Sequence, residues 1–509
     1  MILPQAVIAS MQARFDPHDP ASWDLFLQAF DGEAVGSWRH DPTKTDKTFL
    51  AQSFCRDFPE LPYGPEDYLK PVPWASDAYY IPPNFRPGLS TAHRLGLIYI
   101  QEASAMVPAR LLKAKPGDRV IDLCAAPGGK SLQLASAMQG EGILVSNDIS
   151  RSRARILQRN FEQQGLAWAY ITSFDPVKGI PQAWEGFFDK VQLDAPCSGE
   201  GMFRRDPKAV RSWSDYGPKS IRPVQENLLE VAASLLRVGG CLVYSTCTFN
   251  TYENEELVTK FLSTHPEFTA EKEETLENCN GLRSGLEGEG ILPEVSRAAL
   301  RVWPQDGKGE GQFQIRLRKV AKGPVAKAYL ACFSSAGKNK MKKALQAEGP
   351  TLSEATLAIR NFAIEHMTKE ASDVFTNLME EGKLSLSGKY AFLEKQALPG
   401  LDCLKPLKTG LFLGELKQQK KDKSYTLVPS HAWLLAMPGN IWKAGLNLGH
   451  TDSQTRAVFK GGTLVLEEDE VDKIAPGAYV PILCEGYPLA WGKSQGSTVK
   501  NLFPPSWVD

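Results

Sequence analysis

The sequence predicts an α/β protein with a doubly wound, mostly parallel sheet, an N-terminal extension and a C-terminal region that ends in a small β-barrel. Three observations carry this expectation. Residues 118 to 138 read as a buried strand, a Gly-rich turn and a helix, DRVIDL running into CAAPGGKSLQLASAM. From Gly142 to Thr264 strand and helix patterns alternate, and several of the strands end in Asp or in a hydroxyl-rich string. After about residue 320 the pattern breaks into short strands separated by Gly and Pro.

A chain of 509 residues is long for one domain and suggests about three, at roughly 150 residues each. Hydrophobic content of 42% and charged content of 23% are those of a soluble globular protein. No apolar run is long enough to suggest a membrane span, and the N-terminus carries no basic region followed by a long apolar core, so no secretory signal is expected. The nine cysteines are Cys55, Cys124, Cys197, Cys241, Cys247, Cys279, Cys332, Cys403 and Cys484. They are odd in number, scattered and never spaced CxxC, which argues against a disulfide framework or a zinc ribbon and for a reducing, cytoplasmic setting. No metal site is expected.

Net charge is −1, but it is unevenly spread. Residues 321 to 509 carry 23 Lys and Arg against 19 Asp and Glu, a local +4 that leaves −5 for residues 1 to 320. Two clusters, Lys338, Lys340, Lys342 and Lys343, then Lys417, Lys420, Lys421 and Lys423, have the chemistry of phosphate contacts. A solvated lysine face explains them equally well.

Along the chain, Trp23, Phe26, Leu27 and Phe30 stand at helical spacing. Leu61 through Pro87 holds seven prolines among six aromatic residues, so regular helix is not expected there. Those aromatics suit base stacking, although packing on a neighbouring domain is the more ordinary use. Leu97 to Lys113 reads as a helix that Pro108 should kink. In the core, strands are expected at 118–123, 142–146, 167–172, up to Asp194, at 241–245 and at 312–317. Helices are expected at 223–237, stopped by Gly239 and Gly240, and at 253–264. Residues 278–290 read as a surface insertion. Residues 351–367 look helical, and 457–460, 463–466, 478–483 and 488–491 are short strand candidates of the terminal barrel.

The Gly-rich turn CAAPGGKS narrows the ligand. A phosphate-binding Walker loop needs Gly where Cys124 stands, and a dinucleotide fingerprint needs GxGxxG, which Pro127 interrupts. A ligand with ribose and adenine but no phosphates, such as S-adenosylmethionine, needs only a small-residue turn and an acid on the ribose. Ala125, Ala126, Gly128 and Gly129 supply the first, and Asp148, about 20 residues on, supplies the second.

Two further strings bring thiols to strand ends, VQLDAPCSGEG around Cys197 and STCT around Cys247. Together with DLCAAPGGKS (122–131), the strings DAPCSGEGMFRRDP (194–207) and YSTCTFNTYENE (244–255) resemble the RNA cytosine C5 methyltransferases of the Sun and NSUN type. PVPWASDAYYIPP (71–83), GLIYIQEASAMVPARLL (96–112) and LAWGKSQGSTVKNLFP (489–504) are similar to their ribosomal RNA small subunit methyltransferase F branch.

The resemblance implies a Rossmann-like class I methyltransferase core at 91–320 behind an N-terminal extension at 1–90 expected to bind RNA. After the core it implies a first C-terminal domain at 321–445 and a PUA-like RNA-binding domain at 446–509. It implies S-adenosylmethionine held by Cys124, Ala125, Ala126, Pro127, Gly128, Gly129 and Lys130, with Asp148 on the ribose, Asp175 near the adenine and Asp194 at the reacting end.

The implied activity is methylation of cytosine C5 in RNA, with 16S rRNA of the small ribosomal subunit as the expected substrate and no DNA or membrane partner. Alternatives are a tRNA substrate or a catalytically silent assembly factor. C5 is too weak a nucleophile to take a methyl group until a thiolate adds to C6. The family pattern makes Cys247 that nucleophile, puts Asp194 on N3 and has Cys197 assist release. DNA cytosine methyltransferases use the cysteine after the fourth strand for attack, so the pair of thiols is diagnostic.

Overall fold

The computed structural model describes residues 3–12, 20–277, 279–323, 349–443 and 445–507. Cys332 and the cluster from Lys338 to Lys343 lie outside the described residues.

The N-terminal part forms a four-stranded sheet ordered β2-β3-β1-β4, made of β1 (Ser37–His40), β2 (Pro71–Val72), β3 (Ala75–Tyr80) and β4 (Ile98–Ile100). The helix expected over 97–113 is therefore wrong in its first half. Ile98 to Ile100 pair antiparallel with β1, and the α-helix is confined to Val107–Leu112, behind a 3-10 turn at Ser104–Met106. Pro108 does not kink that helix because it falls in the first turn, where a missing NH costs nothing. It follows that the N-terminal sheet takes its last strand from beyond residue 90.

The central sheet has ten strands. Its middle is parallel, in the order β9-β8-β5-β6-β7, with β5 (Arg119–Asp122), β6 (Ile143–Asn147), β7 (Tyr170–Thr172), β8 (Phe188–Asp194) and β9 (Leu236–Thr246). Both flanks are antiparallel, so the sheet is mixed. Beyond β9 lie β10 (Phe268–Glu271), β11 (Leu282–Ser284), β12 (Leu300–Val302) and β13 (Gln312–Lys319), and beyond β7 lies β16 (Lys408–Thr409). Residues 278–290 are accordingly not a mere surface insertion, because β11 edges the sheet.

Gly239 and Gly240 do not end the helix before β9. The helix Pro207–Leu235 stops at Leu235 and β9 begins at the next residue, with both glycines inside it. Gly239 has φ +78°, and a Cβ on Gly240 would stand 2.8 Å from the Asp189 carbonyl oxygen. The pair thus marks a close approach to the neighbouring strand.

The C-terminal part adds a sheet ordered β14-β15-β17-β18, made of β14 (Leu384–Ser387), β15 (Tyr390–Leu393), β17 (Leu411–Gln418) and β18 (Tyr425–Pro429). Lys417, Lys420, Lys421 and Lys423 are exposed around its last turn. The terminal sheet is ordered β19-β21-β22-β23-β20, with β19 (Leu446–Leu448), β20 (Leu464–Val465), β21 (Tyr479–Cys484), β22 (Tyr487–Ser494) and β23 (Thr498–Asn501). Of residues 457–460, read as a strand, the first three belong to the helix Ser453–Phe459, which Asp452 caps by accepting from Gln454 N, and Lys460 is its C-cap. A four-residue apolar run does not distinguish the two by periodicity.

The two ends of the chain share one core. Trp38, Phe54, Tyr68, Tyr79 and Phe85 pack with Val458, Val480, Ile482 and Leu489. Each such buried side chain contributes about 1.5–3 kcal/mol, so the aromatics of the Pro-rich stretch serve chiefly to join domains. The first helices have another role: Trp23, Phe26 and Phe30 pack on Phe203 and Phe249, which follow the two thiol-bearing strand ends.

Candidate active site

Strand order reverses at β5, which has β6 on one side and β8 on the other. The crevice outside the carboxyl ends of these strands is where open α/β sheets place ligands. Here β5 delivers the Gly-rich turn, β6 delivers Asp148, and β8 and β9 deliver the two thiol loops.

The turn is fixed from several sides. Ala125 N donates to Asn147 O at 2.7 Å, Arg153 to Ala126 O at 2.6 Å, and Asn160 to Pro127 O at 2.7 Å. Gly128 has φ +124°, and a Cβ there would meet Leu157 Cδ1 at 2.9 Å, so only glycine lets the helix Gly129–Met138 start so close to its neighbour. From the N-terminal sheet, Arg39 donates to Gly129 O at 3.0 Å and to Gln101 Oε1 at 2.8 Å. Arg39 is buried.

Two clefts meet over this turn. The larger, about 420 Å³, is lined by Cys124, Ala126, Asp148, Asp175, Asp194, Cys197 and Cys247. The smaller, about 210 Å³, takes Ala125, Pro127, Gly129 and Lys130 together with Tyr99 and Glu102 from the N-terminal side. Cys124, Ala126 and Asp194 line both. The residues expected on one ligand therefore divide between two lobes, and Gly128 lines neither.

Asp148 is buried at the end of β6, with Oδ1 accepting from Ser150 N at 2.9 Å and Arg153 3.4 Å from Oδ2. Asp175 accepts from Val177 N at 3.1 Å. Asp194 closes β8: Lys130 Nζ lies 2.8 Å from Oδ2, and Ser245 Oγ donates to Oδ1 at 2.7 Å. Burial works against the Lys130 ammonium, but the charge of Asp194 and its hydrogen bond outweigh this and hold the pKa above the usual lysine value, with Cys247 adding to the effect.

The sulfurs of Cys197 and Cys247 are 3.4 Å apart, both half-buried in the larger cleft. The hydrogen bond to Cys247 pushes the Cys197 thiol well up, and burial, the Cys247 charge and Glu253 push the same way. Asp122, at the end of β5, is buried with its pKa pushed up to about 7 by that burial, although Ser131 Oγ donates to its Oδ2 at 2.6 Å.

Sequence reasoning missed several supports. Glu200 and Glu253 anchor the two thiol loops, Gln312 donates to Asp194 at 3.3 Å, and Arg39 and Gln101 hold the turn. Glu200 and Glu253 stand inside the quoted strings, three and six residues after the cysteines, so spacing was an available signal. Arg39 had none, since its contact depends on how two domains pack.

The geometry can be set beside known proteins. Residues 109–318 match the family 16S rRNA methyltransferase RsmB/F, residues 3–103 the N-terminal domain of 16S rRNA methyltransferase RsmF, and residues 446–509 the methyltransferase RsmF PUA domain. Ribosomal RNA small subunit methyltransferase F of Shewanella amazonensis is 38% identical over 257 residues, 50% of this chain and 53% of that protein. The protein of that name from Escherichia coli O127:H6 is 39% identical over 315 residues, 60% of this chain and 62% of its own length. The chain thus spans between half and two thirds of the relatives it matches. Among solved structures, the crystal structure of PH0851 superposes with a TM-score of 0.53 at 25% identity, over 62% of this chain and 66% of that one.

Proposed function

Since the chain belongs to the 16S rRNA methyltransferase RsmB/F family, we propose that it methylates cytosine C5 in RNA, with 16S rRNA of the small subunit as substrate. The observation that carries this reading is the pair of thiols 3.4 Å apart beside a Lys130–Asp194 ion pair.

The larger cleft suits S-adenosylmethionine. Its volume lies in the usual range for small-molecule sites of roughly 300–1,000 Å³. Asp148 and Asp175 offer acceptors for hydroxyl and amino groups, and the cation lining it, Arg153, is committed to Asp148 and Ala126 O, leaving no phosphate cradle. When bound, this cofactor supplies a methyl group as an electrophile, which an electron-rich C5 takes.

The remaining chemistry belongs to the chain. Cys247, attacking as thiolate, forms the Sγ–C6 bond while N3 takes a proton from solvent, and the Asp194 carboxylate accepts the hydrogen bond from the resulting N3–H. Lys130, firmly charged, pairs with the Asp194 carboxylate and fixes it at the reacting end of the cleft. Once Cys247 is bonded to carbon, its charge and hydrogen bond no longer hold up the Cys197 thiol, whose proton can pass to solvent. Cys197 then takes the C5 proton, the C–H electrons re-form the C5–C6 double bond, and the C6–Sγ bond breaks to return Cys247 as thiolate. N3 returns its proton to solvent in the same phase. Such a site requires an unpaired or flipped-out cytosine.

In this reading residues 446–509 and the N-terminal sheet bind RNA, and the protein works in the cytoplasm; the odd number and scatter of the nine cysteines support that setting. Among the described residues no helix is long and apolar enough to cross a membrane. Incubation with labelled cofactor and, in parallel, deproteinised 16S rRNA, small subunits and tRNA tests the proposal. Label on cytosine C5 of 16S rRNA is expected. Transfer to tRNA alone would change the substrate, and transfer to no RNA would remove the activity.

A further inference from the structure

The two thiol loops are joined by buried carboxylates that cross over. Glu200, on the loop of Cys197, reaches into the loop of Cys247: Oε2 accepts from Thr248 Oγ1 at 2.7 Å, Phe249 N at 2.8 Å and Asn250 N at 3.0 Å, and Oε1 from Trp213 Nε1 at 3.2 Å. Glu253, on the loop of Cys247, reaches back: Oε2 accepts from Ser198 N at 3.0 Å and Gln225 Nε2 at 2.9 Å, and Oε1 from Asn250 Nδ2 at 2.6 Å and from Ser198 Oγ. Both side chains are fully buried, and among the described residues neither forms an ion pair.

A carboxylate taken from water costs several kcal/mol unless its lone pairs are filled. Four donors on each carboxylate meet that need, and among them are the residues that follow the two cysteines, Ser198 after Cys197 and Thr248 after Cys247. Any slackening of either carboxylate therefore moves a sulfur.

We propose that Glu200 and Glu253 are positioning residues that set the distance between the two sulfurs and, through the Glu253 charge, reserve Cys197 for the second step. The proposal rests on the two-thiol reading above. Glu253 is one of the groups that raise the Cys197 thiol, after the Cys247 hydrogen bond and burial. Cys197 thus stays protonated while Cys247 attacks. Glu200 carries the other half of the work by holding Thr248 to Asn250, so that Cys247 faces the cleft.

The test uses the full chain as wild type, Glu200→Gln and Glu253→Gln, with Ser198→Ala and Thr248→Val as milder variants that each remove one donor. In the absence of RNA, diamide should couple Cys197 to Cys247 rapidly in the wild type, read by peptide mass spectrometry. Both Gln variants should slow this coupling at least ~5-fold (about 1 kcal/mol of positioning), and the mild variants should slow it less. With RNA, the pH midpoint for breakdown of the covalent adduct should fall in Glu253→Gln, and hold in Glu200→Gln and Ser198→Ala, which leave the Glu253 charge in place. Folded variants with wild-type coupling rates and an unmoved midpoint would overturn the proposal. A wild type that forms no adduct with any RNA would defeat the two-thiol reading, while the coupling rates would still judge the clamp.

Discussion

Lys130 Nζ lies 2.8 Å from Asp194 Oδ2, so the Gly-rich turn after β5 and the end of β8 form one electrostatic unit. The ammonium is almost buried and stays charged because Asp194 faces it. Lys130→Met leaves the Asp194 carboxylate, which lines both clefts, without its ion-pair partner. Methyl transfer should fall at least ~100-fold, the scale for loss of one well-aimed electrostatic group, while thermal unfolding shows whether the fold is kept. Transfer within threefold of wild type in a folded variant would contradict this role.

Arg39 ties the N-terminal sheet to the turn through Gly129 O and Gln101. Arg39→Ala should weaken S-adenosylmethionine binding about 10-fold, equivalent to ~1.4 kcal/mol, measured by titration calorimetry without RNA. An unchanged affinity would mean that the N-terminal sheet merely sits beside the cofactor turn.

Much of the centre of the molecule is legible in the sequence because its strands are buried on both faces and read as continuous apolar runs. The same holds for the ends of those strands, where Asp148, Asp194, Cys197 and Cys247 sit on short loops whose position follows from the strands. Legibility fails where tertiary contact decides. Ile98 to Ile100 are as apolar as a helix face, and only pairing with β1 makes them a strand. Ser453–Phe459 is a helix capped by Asp452, a local signal that the short apolar run beside it obscures. Arg39 acts between domains far apart in sequence, which no local pattern reports, whereas Glu200 and Glu253 at least stand within the thiol strings.

Asp122 should leave a mark on stability. Burial raises its pKa from 3.8 to about 7, so the folded state keeps a proton that the unfolded chain has already lost above its own pKa. The wild type consequently loses stability as pH rises from about 4 to 7, by on the order of 4 kcal/mol at most, at 1.36 kcal/mol per pKa unit. Asp122→Asn has no such titration. The variant's melting temperature minus that of the wild type should therefore grow across this window and level off above it. A difference independent of pH would show that Asp122 is ionised in the fold.

The account depends most on which sulfur attacks. Full-length Cys247→Ala and Cys197→Ala, incubated with S-adenosylmethionine and 16S rRNA and run on a denaturing gel, separate the two roles directly. Cys197→Ala should accumulate a covalent RNA adduct because attack proceeds and release stalls, and Cys247→Ala should form none. An adduct in Cys247→Ala would contradict the assignment and make Cys197 the nucleophile.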